Sequence, residues 1–145
     1  MLPAALKAHP RNKSDDELKF IANHGGFIGV TMFSPFLAKG NDASIEDYVA
    51  AIDYVVGIAG VEGVGIGTDF TQDQDGAFFD WLTHDKGYAR RLVNFAEVVN
   101  PEGMRKIGDF PNLTQAMEKA DWPERKIRRV MGENCVRVLG EVWDA

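Results

Sequence analysis

Polar and apolar positions along this chain run through the same pattern twice. In the first round, Ser14-Asp15-Asp16-Glu17 has the form of a capping box. The serine hydroxyl there accepts from the third helical N–H while the glutamate reaches back to the cap. Leu18, Phe20 and Ile21 then supply an apolar stripe, and Gly25-Gly26 stops the helix. The run from Phe27 to Phe33 follows with almost no polar face, which is how a strand covered on both sides reads. In the second round, Ser44-Ile45-Glu46-Asp47 opens a helix whose Tyr48, Val49, Ile52, Val55, Val56 and Ala59 fall near a 3.6-residue period, and Gly60 ends it. Val64 to Phe70 is a second buried strand, in which glycine alternates with larger residues. Helix followed by apolar strand, twice over, predicts parallel strands joined by right-handed crossovers.

After Phe70 the character changes. Residues 71 to about 112 read as a long connection rich in Gly, Asp, Gln and aromatics, with one helix around Tyr88 to Val99. A short helix is expected from Asn112-Leu113-Thr114-Gln115. A final amphipathic one begins at Pro123-Glu124 and runs through Ile127, Val130, Met131, Val136, Leu139 and Val142, with Gly132 as a break. Two strands cannot close a barrel or an open α/β sheet, and the pattern supplies no others to cover them. The chain is therefore expected to be part of a larger domain.

Composition narrows the partners. With 45% hydrophobic and 26% charged residues this is ordinary globular sequence. The formal net charge of -6 argues against a nucleic-acid partner, since little here would neutralise phosphates. No apolar run approaches the roughly 20 residues that a membrane-spanning helix needs. The N-terminal Met1-Leu2-Pro3-Ala4-Ala5-Leu6-Lys7 lacks the stretch of a signal peptide. A soluble protein, cytoplasmic or periplasmic if bacterial, is the expectation. The single cysteine, Cys135, permits no internal disulfide and reads as a buried, inert helical position.

Two residues stand out chemically. Asp69 lies at the C-terminal end of an apolar strand, the edge where reacting groups project in parallel α/β architectures. A carboxylate there can exchange protons with a substrate or can simply cap its loop, and position alone leaves both open. Arg11, in His9-Pro10-Arg11-Asn12, can clamp a carboxylate through two parallel hydrogen bonds or can be a plain surface arginine. The histidines His9, His24 and His84 lack the close spacing that places two imidazoles on one metal. His24 suits a helix C-terminus, His9 a turn, and His84 the long loop. Thr71 to Gly76 is not a calcium loop, because Leu82 falls where the closing acid belongs.

Four segments fall in the order of a known family: His9-Pro10-Arg11-Asn12 followed by Asp15-Asp16; Gly67-Thr68-Asp69-Phe70; Pro101-Glu102-Gly103 with Phe110-Pro111-Asn112-Leu113-Thr114; and Gly132-Glu133-Asn134-Cys135-Val136-Arg137-Val138. Together they resemble the C-terminal half of the renal (membrane) dipeptidases, the M19 metallopeptidases. The resemblance implies an α/β fold, the C-terminal part of a TIM-type (β/α)8 barrel: its last two strands plus surrounding and C-terminal helices. Residues 1–145 would form one fragment of a single barrel domain. It also implies a two-zinc dipeptidase in which Arg11 binds the dipeptide's terminal carboxylate and Asp69 acts as the acid/base and touches substrate. The family's zinc ligands have no counterparts in these residues, so this chain alone is expected to be inactive and to hold no metal. Dipeptides are the implied substrates, and a homodimer is left open. An inactive module acting by association, or a related amidohydrolase with another substrate, are the alternatives.

Overall fold

The capping box predicted at Ser14 forms, and a second one stands at Ser44. In the computed structural model, which describes residues 1–70, 76–84 and 98–144, the Ser14 hydroxyl accepts from the Glu17 N–H at 3.2 Å, and the Glu17 carboxylate accepts from the Ser14 N–H at 2.8 Å. This starts helix α1 (Asp15–Asn23). Ser44 and Asp47 make the same exchange at the start of α2 (Ile45–Ala59). Such local signals satisfy backbone donors that a helix N-terminus otherwise leaves bare.

Strand β1 (Ile28–Thr31) lies between these helices, and β2 (Val64–Gly67) follows α2. They pair in parallel, Val30 opposite Ile66, as two consecutive helix–strand units require. Each strand is shorter than its apolar run, for the same reason. The Thr31 hydroxyl accepts from the Phe33 N–H, and the Thr68 hydroxyl from the Phe70 N–H, at 3.2 and 3.3 Å. These local turns compete with the ladder and bend the chain away. Met1 extends the sheet on the other side of β1, donating to the Gly29 carbonyl and accepting from the Thr31 N–H. That alternation is a parallel-strand pattern.

One face of the sheet is sealed by α2. Ile28, Val30, Met32 and Val64 are fully buried with Tyr48, Ile52 and Val55. The opposite face is covered only in part: Gly65 is buried against the Phe27 ring and the Val130 carbonyl, while Gly29, Thr31 and Gly67 remain half-exposed. Burial on both sides was expected; among the described residues only one side is fully covered. Tyr54 ties α2 to α1 by donating to the Asp15 carboxylate at 2.9 Å.

The connection after β2 holds a helix that the pattern did not predict, α3 (Gly76–Thr83), and His84 closes it rather than lying in open loop. Residues 71–75, and the helix expected at Tyr88 to Val99 apart from its last two residues, lie outside the described residues. Helix α4 (Phe110–Lys119) begins two residues before Asn112, with Pro111 in its first turn, where a missing N–H costs nothing. The last segment is α5 (Glu124–Arg128), a π-type turn at Arg129–Glu133 with non-helical φ/ψ at Gly132, and α6 (Asn134–Trp143).

Cys135 is exposed, contrary to the core position expected for it. The kink at Gly132 resets the helical phase and turns Asn134 inward instead. Its amide donates to the carbonyls of Val61 and Val64 at 2.6 and 2.8 Å, which leaves Val136, Val142 and Trp143 facing solvent. Among the described residues no helix is long and apolar enough to cross a membrane.

Candidate functional site

Because β1 and β2 are parallel, their C-terminal ends open on the same edge, and both candidate residues belong to that edge. Asp69 follows Gly67 and Thr68 directly. Its φ of 59° places it in the left-handed region, where aspartate is among the residues most readily accommodated. The Thr68 hydroxyl turns the backbone there, and the Asp69 side chain is exposed.

Arg11 arrives from a different element. Residues 2 to 13 form a loop closed at its base, where Ala4 donates to Lys13 at 2.7 Å and Lys13 donates to Leu2 at 2.8 Å. The fully packed Leu2 plugs this loop into the core. Within it the Arg11 N–H donates to His9 Nδ1 at 3.2 Å, so His9 orients the turn as its position suggested. Asn12 is 6% exposed and fastens the loop to the connection after β1, donating to the carbonyls of Lys7 and Phe36 at 3.0 and 3.1 Å. The Arg11 guanidinium sits 5.4 Å from the Phe36 ring centroid, within cation–π range, and the His9 ring is 4.6 Å from the same ring. Phe36 therefore carries Arg11 at the mouth of β1.

The two candidates make no ion pair with each other. What relates them is the sheet: Met1, which starts the loop that bears Arg11, pairs along one side of β1, and Asp69 follows β2 on the other.

Tyr48 reaches the same edge from beneath. Its hydroxyl donates to the Val30 carbonyl at 2.7 Å, and burial holds it far above the ordinary tyrosine range. It is a protonated donor at any working pH.

The histidines are otherwise engaged. His24 Nδ1 meets the Phe20 carbonyl at 2.7 Å at the end of α1, and His84 Nδ1 meets the Asp80 carbonyl at 2.6 Å. Among the described residues no three His, Cys, Asp or Glu side chains converge as a metal site. These residues by themselves do not fit a zinc centre.

A sequence profile of the membrane dipeptidases, peptidase family M19, matches residues 2–97, a span that holds both Arg11 and Asp69. The chain belongs to this family. Its members are metal-dependent dipeptidases. An uncharacterized dipeptidase of Schizosaccharomyces pombe is 28% identical over 136 residues, 92% of this chain and 27% of the relative. The crystal structure of an amidohydrolase from Pseudomonas aeruginosa superposes with a TM-score of 0.94 at 64% identity, over 99% of this chain and 44% of that one. A dipeptidase AC of family M19 shares the fold at a TM-score of 0.74 and 22% identity, over 99% of this chain and 36% of the other. The chain thus spans less than half the length of these relatives.

Sequence reasoning missed Phe36, Asn12 and Tyr48. Their roles depend on contacts distant in the chain, 18 residues from Tyr48 to Val30 and 24 from Asn12 to Phe36, and no local spacing marks them.

Proposed function

We propose that these residues are the C-terminal part of a zinc-dependent dipeptidase, and that residues 1–145 belong to a single (β/α)8 barrel domain in which β1 and β2 are the last two strands. The observation that carries this reading is the family match across residues 2–97. The strand-like pairing of Met1 on the free edge of β1 supports it, because a closed barrel continues its sheet there.

In this reading the zinc ligands come from polypeptide outside these residues. A zinc pair supplies a nucleophile at neutral pH and a polarised carbonyl. This chain's own part is substrate handling. Arg11 presents a planar, permanently charged fork that suits a dipeptide's terminal carboxylate, and Phe36 beneath it limits the fork's freedom. Asp69, at the barrel mouth, takes up a proton on the attacking side and delivers one to the leaving amine. The 145 residues alone would be inactive.

The test uses the full-length protein that contains this chain, assayed on free dipeptides and on their C-terminal amides. Arg11→Ala lowers kcat/KM for the free dipeptide by about 10²–10³-fold, as expected for losing a bidentate charge-assisted pair, and leaves the poor rate on the amide nearly unchanged. Equal losses on both substrates would contradict the clamp. The amidohydrolase name of the Pseudomonas aeruginosa protein favours a second reading, a hydrolase with a different amide substrate. An enzyme that prefers the blocked substrate would support that one.

A further inference from the structure

In the loop that carries Arg11, Asn12 is the first residue after Pro3 to be buried; residues 4–11, Arg11 among them, are exposed or half-exposed. Backbone bonds hold the base of this loop, and the Asn12 side chain ties its tip down from inside. The amide nitrogen donates to the Lys7 carbonyl at 3.0 Å, within the loop, and to the Phe36 carbonyl at 3.1 Å, on the 3-10 turn Ser34–Phe36 that follows β1. Phe36 is also the residue whose ring lies 5.4 Å from the Arg11 guanidinium carbon. One side chain therefore fixes the backbone root of Arg11, its covalent neighbour, to the residue on which the fork rests. The Asn12 amide oxygen is buried with no hydrogen-bond partner among the described residues. A buried orphan acceptor costs stability, so packing alone would be served as well by leucine, which has the same heavy-atom skeleton. What only the amide supplies is its two donors. An exposed arginine loses much rotamer freedom when it grips a carboxylate. Holding its root and its aromatic rest together lowers that cost before substrate arrives.

We propose that Asn12 is a positioning residue for Arg11: by bonding the Phe36 carbonyl it keeps the Arg11 loop against the Phe36 ring, so that the guanidinium meets the substrate's terminal carboxylate in one orientation. This rests on the reading of Arg11 given above. Leucine at position 12 keeps the side-chain skeleton but removes both donors, and the tip of the loop is freed to shift relative to Phe36. Asp69 follows β2, a separate element, and is not touched.

The experiment measures kcat/KM on a free dipeptide and on its C-terminal amide in the full-length, zinc-loaded protein, for Arg11→Ala, Asn12→Leu and the pair. Asn134→Leu is the control. Asn134 is likewise a buried amide that donates to two carbonyls, but those belong to Val61 and Val64, at the start of β2. Asn12→Leu is expected to lower kcat/KM on the free dipeptide about 10–100-fold, the scale of a group misplaced by about 1 Å, with the amide rate within about twofold and zinc content unchanged. Added to Arg11→Ala it is expected to have no further effect, because residues acting as one unit are not additive. Asn134→Leu should keep the wild-type ratio of the two rates. Should Asn12→Leu not fold, Asn12→Ser, whose hydroxyl can hold one carbonyl at most, is expected to move the ratio in the same direction. A wild-type ratio in Arg11→Ala would overturn the clamp itself. With the clamp upheld, equal losses on both substrates, a ratio as unaltered as that of Asn134→Leu, or an undiminished further loss in the Arg11→Ala background would overturn the role of Asn12 alone.

Discussion

Asn134 offers a demanding test of how the last helix is attached. Its side chain is 1% exposed and donates both amide hydrogens, to Val61 and Val64 carbonyls at 2.6 and 2.8 Å, while its own oxygen has no partner. Asn134→Asp keeps the shape and replaces two donors with a carboxyl group. When protonated, that group can still donate one hydrogen bond, so the variant loses about 1–3 kcal/mol. When ionised, it faces two carbonyl oxygens in a buried site, and the native state resists this by raising the group's pKa. The sign follows from linkage. An acid with a raised native pKa binds more protons folded than unfolded, so stability falls as pH climbs from the unfolded aspartate value near 4 towards the native one. The slope is about 1.4 kcal/mol per pH unit, which adds about 4 kcal/mol by pH 7 if the native pKa lies at or above that pH. Urea unfolding of the full-length wild type and variant, followed by circular dichroism at about pH 4 and about pH 7, reads the difference. A penalty that stays level or shrinks with rising pH would refute this account of the Asn134 contact.

Two other perturbations follow from the site's supports. The Asp47 carboxyl is raised by burial, but the Lys39 ammonium and the Ser44 N–H outweigh this and lower it overall. Its contribution is therefore complete above about pH 4 and disappears as pH falls through the depressed native value. The stability advantage of wild type over Asp47→Asn should vanish in acid, and thermal unfolding across that range checks it. At the sheet's open face, a Cβ on Gly67 would lie 3.2 Å from the Gly29 carbonyl carbon, whereas one on Gly29 meets nothing closer than 3.6 Å. Gly67→Ala should cost about 1–3 kcal/mol by forcing backbone apart and Gly29→Ala much less, a contrast that the two melting temperatures report.

What the sequence disclosed is what is decided locally. Ser14 with Glu17 and Ser44 with Asp47 each act across three residues, so their helices could be read directly. Parallel pairing also followed, because each apolar run is preceded by its own crossover helix. Cys135 was misread because the phase of α6 is set by a bond between Asn134 and Val64, 70 residues earlier, after a kink at Gly132. Helix α3 went unseen since its few apolar residues sit in a stretch whose Gly, Asp and Gln content reads as loop. For the site, Arg11 and Asp69 could be proposed from the sequence, but their supports could not. The Phe36 ring under Arg11 and the Tyr48 hydroxyl on the Val30 carbonyl come from other elements, and only the folded chain brings them there.

Asp69→Asn in the full-length protein is the most direct test of the central claim, that this edge of the sheet carries the proton-handling group of a dipeptidase. Steady-state hydrolysis of a free dipeptide and zinc content should be measured on the same sample. The expected result is a fall in kcat of about 10²–10⁴-fold, the usual scale for a general acid–base group, with zinc retained at the wild-type level. A variant that keeps its kcat within a few-fold, or that loses its rate only because it has lost its metal, would contradict it.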